Sequence, residues 1–220
     1  MFKNILLLKD DILLALSQTA YMVIISLVVA IVLGGILGLF LFTTSNHLFI
    51  KNRVINHFVG IILNVVRSIP FLILMIFLLP LSKLIVGTKI GSEAVIVPLS
   101  IASIAFFARL AEASFSDVDK GVIEAAIASG ASKLSIIIKI LIPEAISSLV
   151  KNITVTAISI LGFSAMAGLL GGGGLGDLAY RYGYQRYQTD IMIICVAILV
   201  ILVQLVQFIG DLIAKGLNRK

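Results

Sequence analysis

The amino-acid sequence predicts an all-α integral membrane protein with about five transmembrane helices. Three observations carry that expectation. The 220 residues are 60% hydrophobic and only 13% charged, where a soluble domain of this size is about a quarter charged. The apolar residues are also contiguous. No Asp, Glu, Lys or Arg occurs from Ile12 to Ile50, from Asn152 to Gly176, or from Ile191 to Gly210. Finally, these runs do not alternate polar with apolar, so they read as helices that satisfy their own backbone hydrogen bonds in lipid rather than as barrel strands. About 20 apolar residues cross a bilayer core.

The first span is expected over Tyr21–Phe42. Lys9, Asp10 and Asp11 interrupt the apolar stretch before it and no small-residue cleavage pattern follows, so a removable signal peptide is not expected. The second span is placed at Val59–Leu79 with Arg67 and Pro70 inside it, and the third at Ala94–Phe115 with Pro98 and Arg109. The fourth covers Ile146–Leu170 and the fifth Ile191–Ile213. Residues 1–220 are read as a single membrane domain.

The segment between the third and fourth spans, about residues 116–143, is different. Asp117, Asp119, Lys120, Glu124, Lys133 and Lys139 make it too charged to span and too periodic to be disordered. A helix, a break at Gly130 and a second short helix ending at Pro143 fit it. Val118, Val122, Ala125 and Ser129 fall on one narrow helical face.

Basic residues set the orientation. Lys51, Arg53, Arg109, Lys120, Lys133, Lys139, Lys151, Lys215, Arg219 and Lys220 lie on one side of the expected spans. Lys3, Lys9, Lys83, Lys89, Arg181 and Arg186 lie on the other. Ten against six places the charged segment and the carboxyl terminus in the cytoplasm and the amino terminus outside. The net charge of +6 is therefore membrane anchoring. No Arg-rich stripe interleaved with aromatics suggests a nucleic-acid partner.

Chemistry within the chain is sparse. No Gly-x4-Gly-Lys-Ser/Thr loop occurs, so the chain is not an ATPase. Gly171, Gly173 and Gly176 match a dinucleotide pattern in form only, because an apolar span precedes them and no βαβ unit surrounds them. A flexible turn between spans is expected there. His47 and His57 lack metal-ligand spacing, and Cys195 reads as a buried small hydrophobe. No catalytic residue, cofactor or metal is expected. An intramembrane enzyme would need clustered acidic or His residues within spans, which the sequence does not provide.

The charged segment carries a family resemblance. Glu124-Ala125-Ala126, three residues, Gly130, nine residues and Ile140-Leu141-Ile142-Pro143 resemble the coupling-loop signature of ABC importer permeases, EAA-x3-G-x9-I-x-L-P. Only Ile142 departs from it. Arg67-Ser68-Ile69-Pro70-Phe71, Gly162-Phe163-Ser164-Ala165-Met166-Ala167-Gly168, Gly171 to Asp177 and Tyr182 to Tyr187 are similar to the methionine-importer branch. The resemblance implies the type I importer permease fold in a multi-pass subunit of a bacterial inner membrane. It implies two cytoplasmic ATPase subunits holding ATP and Mg, a second copy of this chain, and an extracytoplasmic methionine-binding protein. Glu124, Ala125, Ala126, Gly130 and Pro143 would then couple the permease to the ATPase. A permease for another amino acid, or a membrane scaffold, is the alternative.

One further expectation comes from the residues themselves. On the fourth span Ser148, Asn152, Thr156, Ser159, Phe163 and Met166 lie within about 40° of one line. Such a polar face either lines a translocation path, with Met166 as an outer gate, or packs helix on helix. Arg67 either meets a carboxylate or anchors the second helix. The Tyr180–Tyr187 cluster is an interfacial aromatic belt or a contact for the binding protein.

Overall fold

A computed structural model describes residues 8–45, 49 and 52–217. His47, Lys3, Lys51, Arg219 and Lys220, which enter the sequence argument, lie outside the described residues. The described residues form helices and turns, without a strand among them.

The first helix, α1 (Lys9–Ser45), is 37 residues long. It begins about three turns before the expected Tyr21 because Asp10 and Asp11 occupy its first turn, where carboxylates complement the positive end of the helix dipole. A wide π turn at Ala30–Gly34 interrupts it.

The second expected span is not one straight helix. It divides into α2 (Arg53–Ser68) and α3 (Phe71–Val86), which meet at 109°. Pro70 causes the break. Its ring excludes the helical conformation for the preceding residue, and Ile69 is extended at φ −80° and ψ 124°.

The third helix of the expected set is α4 (Ser92–Ser116). It is the central element: 61% of its most apolar stretch is buried, against 28% for α1 and 11% for the final helix α9 (Thr189–Leu217). These three helices are long and apolar enough to cross a membrane, and the bent α2–α3 pair can act as a fourth. The remaining long helix, α7 (Ile142–Gly168), has 27 residues. Its Ser147, Ser148 and Asn152 bond to neighbouring helices, whereas Thr154, Thr156, Ser159 and Ser164 bond back to carbonyls of α7 itself.

Between α4 and α7 lie α5 (Lys120–Ala128) and α6 (Lys133–Ile136). The second short helix does not end at Pro143. It runs through a π turn at Ile137–Leu141 into α7. Proline has no N–H and its ring crowds the carbonyl four residues back. A widened turn just before Pro143, with Ile142 N–H reaching the Ile137 carbonyl, removes both conflicts.

α1 and α4 pack through small residues. A Cβ on Gly38 would lie 2.6 Å from both the Ala108 carbonyl oxygen and the Ala111 Cβ. No side chain fits there. Close backbone approach of this kind substitutes for the hydrophobic drive that lipid does not supply. Gly38→Leu is expected to separate α1 from α4 at a cost of at least ~2 kcal/mol. A fall in the melting temperature of the detergent-purified protein checks it, with Gly162→Ala, which meets open space, as the neutral control.

Candidate functional site: the coupling hairpin and the α7 face

The hairpin α5–α6 is built on a sharp corner. Asp119 caps α5 by accepting a hydrogen bond from Gly121 N–H at 2.7 Å. At the other end Gly130 has φ +79°. Ala131 N–H reaches back to the Ala126 carbonyl at 3.1 Å and Gly130 N–H to Ile127 at 2.9 Å, closing the helix end. Ser132 then caps α6 through Ser135 N–H at 3.3 Å.

One side of the hairpin is nailed to the body. Ile123 and Ile136 are each 1% exposed and pack with Phe115, Leu141 and Phe42. Lys133 Nζ donates to the Phe49 carbonyl at 2.9 Å, tying the corner to the α1–α2 linker. The other side is open. Val122, Glu124, Ala125, Ser129, Gly130 and Pro143 are exposed, and Ala126 is half-buried against the core. The face anticipated from Val122, Ala125 and Ser129 is therefore unburied, while Val118 belongs to the core.

The α7 face divides in two. Its lower half packs on α4: Asn152 Nδ2 donates to Ser114 Oγ at 2.7 Å and to the Leu110 carbonyl at 3.2 Å. Ser148 Oγ donates to Ser114 Oγ at 3.0 Å. Thr156 is fully buried and bonds back to the Asn152 carbonyl at 2.7 Å. The upper half is freer. Ser159 is half-buried and bonds only to the Val155 carbonyl, at 2.9 Å. Phe163 stacks on Phe71 with ring centroids 4.7 Å apart, and Met166 is 38% exposed.

Arg109 serves the scaffold. It pairs with Glu112 at 2.8 Å and donates to the Gly60 carbonyl of α2 at 2.8 Å. Arg67 lies over the Phe106 ring at 5.9 Å.

The glycine-rich segment is ordered, and is not the flexible turn that composition suggests. Gly171, Gly173 and Gly174 take positive φ. They feed a short helix, α8 (Gly174–Leu178), that packs back between α1 and α7 with Leu175 and Leu178 buried. Gln18 Oε1 accepts from Gly174 N–H at 2.8 Å and Thr19 Oγ1 from Leu175 N–H at 2.9 Å. After it, Tyr180 stacks on Tyr184 at 5.6 Å, Arg186 lies over Tyr182 at 4.5 Å, and Tyr182 OH donates to Asp11 at 3.3 Å. Arg181 Nε donates to both Asp177 carboxylate oxygens, at 2.9 and 2.8 Å, with Nη2 2.6 Å from Oδ2, and this hydrogen bonding raises its pKa. Tyr184 and Tyr187 are the exposed members of this cluster.

Residues 30–220, which include the hairpin and the α7 face, match the family model described as the binding-protein-dependent transport system inner membrane component. The chain belongs to that family. Among the relatives of this inner membrane component is the probable D-methionine transport system permease protein MetI of Vibrio cholerae, 45% identical over 97% of this chain and 95% of that one. The methionine import system permease protein MetP of Bacillus subtilis is 46% identical over 82% of this chain and 81% of its own length. A solved structure of the MetNI methionine ABC transporter in an inward-facing conformation superposes with a TM-score of 0.94 at 39% identity, covering 96% of this chain and 98% of that one. An amino acid ABC transporter solved with histidines shares the fold, at a TM-score of 0.81 and 20% identity.

Sequence reasoning missed the two side chains that hold the glycine segment of this transport component. Gln18 and Thr19 sit as adjacent polar residues inside the apolar run of α1, which was the available signal. Gln18→Ala with Thr19→Val leaves two amides unpaired, at roughly 1–3 kcal/mol for each buried donor. Faster proteolysis between Gly171 and Leu178 is the expected readout.

Proposed function

We propose that this chain is the membrane-spanning permease subunit of an ATP-driven importer and that its cargo is methionine. Two copies form the path, two cytoplasmic ATPase subunits supply the energy, and an extracytoplasmic binding protein delivers the substrate. ATP and Mg reside on the ATPase, and this chain takes no part in hydrolysis.

The observation that carries this reading is the hairpin, packed firmly on one side and open on the other. Glu124 and Ala125 face outward from a helix whose far end is closed by Gly130. Ile123, Ile136 and Lys133 fix it to the helix bundle. A partner that grips Glu124, Ala125, Ala126 and Gly130 moves the bundle as a lever, because the buried contacts do not yield continuously. Pro143 stands at the π turn that joins the hairpin to α7, so the lever acts on the helix that carries Ser159, Phe163 and Met166. Those three residues line the upper path, with Met166 as the outer gate. Asn152 and Thr156 hold α7 on α4 and set the position of that path. The methionine assignment rests on the relatives described above.

Purification with the ATPase subunits and reconstitution in proteoliposomes tests both halves. Uptake of labelled methionine should require ATP and binding protein, and delivered substrate should stimulate ATP hydrolysis. Equal competition by unrelated amino acids would overturn the substrate. Failure to co-purify a stoichiometric ATPase would overturn the permease reading in favour of a scaffold.

A further inference from the structure

The break between α2 and α3 opens a cavity of about 380 Å³. Arg67 and Ser68 line it from the end of α2, Phe71 from the start of α3, Ala102 and Phe106 from α4, and Phe163 from α7. We propose that this cavity is the station where the permease itself holds an apolar α-amino acid, reading the carboxylate with Arg67 and the side chain with the surrounding rings. This rests on the importer reading above.

Four features support it. Arg67 makes no ion pair or hydrogen bond with another described residue; its one specific contact is the Phe106 ring. Arg67 is exposed to the cavity side in the last turn of α2; an ionisable group at membrane depth marks a candidate pathway or ligand site, and the guanidinium fork matches a carboxylate bidentately. The hydrogen-bond ladder of α3 begins with Ile73 and Leu74 N–H on the Pro70 carbonyl, so the free first-turn amides and the positive end of α3 open at the same cavity. Half-helices in other transporters direct that end at a substrate carboxylate.

The walls are aromatic. Phe71 and Phe163 stack at 4.7 Å, and Phe106 stands beneath the guanidinium. A thioether makes favourable edge contacts with such rings. Among the described residues no carboxylate lines the cavity. The free carbonyls at the end of α2 and the Ser68 hydroxyl are neutral acceptors for the substrate ammonium, so the anionic end of the substrate, met by a full charge, and its apolar side chain are what the site distinguishes. Phe163 shares a helix face with Ser159 and Met166, which places the station beside the path proposed above.

The test uses the complete complex with its ATPase subunits in nanodiscs, without binding protein, and measures equilibrium binding of labelled methionine. Wild type should bind, and unlabelled methionine should compete at least tenfold better than its methyl ester, which keeps the side chain and ammonium but lacks the anion. Arg67→Gln should weaken binding at least tenfold. Ala102→Leu fills the cavity without touching the charge and should do the same, with Ala102→Val in its place if the Leu variant does not co-elute as an intact complex. The station is overturned if wild type does not bind, if the ester competes as well as methionine, or if both variants bind like wild type. Those results leave the importer reading standing provided binding-protein-dependent uptake persists. Loss of that uptake in wild type refutes the importer reading instead.

Discussion

Gly130→Val is expected to lower ATP-driven uptake by tenfold or more while the protein remains folded in the membrane. Gly130 holds φ +79° at the corner of the hairpin. A β-branched residue in that region is strained by about 1–2 kcal/mol or more, and the strain is relieved by rotating the following residues. That rotation removes the Ala131-to-Ala126 and Gly130-to-Ile127 closures and swings Glu124 and Ala125 away from their present direction. The bundle is insulated from the change, because a Cβ at Gly130 meets nothing within 4 Å. Stability should therefore change little while coupling fails. Substrate-stimulated ATP hydrolysis in proteoliposomes is the measurement. Gly130→Asn, which tolerates the left-handed region, should retain most of the coupling. Wild-type uptake in the valine variant would remove the hairpin from the mechanism.

The helical class and the hairpin were legible in the sequence because both rest on local signals. Contiguous apolar runs, Pro98, Gly130 and the charges of residues 116–143 act within one or two turns of where they occur. The same locality explains what was misjudged. Pro70 was read as a tolerated proline inside a span, yet its effect on Ile69 is enough to turn the chain by 109°, with α4 and α7 lining the space inside the bend. Whether a proline kinks or breaks a helix depends on which neighbours take up the freed backbone, and that is tertiary. Pro143 went the other way. A π turn absorbed it and the helix continued.

The α7 stripe shows a second limit. Its periodicity gives one face but not what that face meets. Ser114 of α4 lies opposite Ser148 and Asn152, so those polar groups are satisfied by packing, whereas Ser159 and Met166 have no such partner across the helix interface. The stripe passes from Ser148, Asn152 and Thr156 to Phe163 and Met166, but residues 148–166 do not by themselves say what either half meets. The distinction is set by where α4 carries small polar residues. The glycine segment is similar: composition alone suggested mobility, and the order comes from Gln18 and Thr19, 156 residues away in sequence.

Replacing Met166 with alanine is expected to open the outer gate proposed above. Met166 extends from the upper, unbonded half of α7, one turn above Phe163, and 38% of it is exposed in the single chain. Removing its thioether shortens the side chain by three heavy atoms at the seal proposed between the two copies. Alanine keeps the helix propensity, and little packing is lost, since the side chain is partly exposed. The expected result is passive leak of methionine through proteoliposomes without ATP, together with basal ATP hydrolysis that no longer responds to delivered substrate. Met166→Leu restores volume without the polarizable sulfur and should reseal the path. That pair of variants separates closure from chemistry. If leucine seals and alanine leaks, bulk makes the gate. If leucine also seals but slows uptake severalfold, the flexibility of methionine contributes to opening. Unchanged leak and unchanged coupling in Met166→Ala would move the gate elsewhere on the path. Phe163 would be the next candidate, because its stacking on Phe71 links α7 to the broken span.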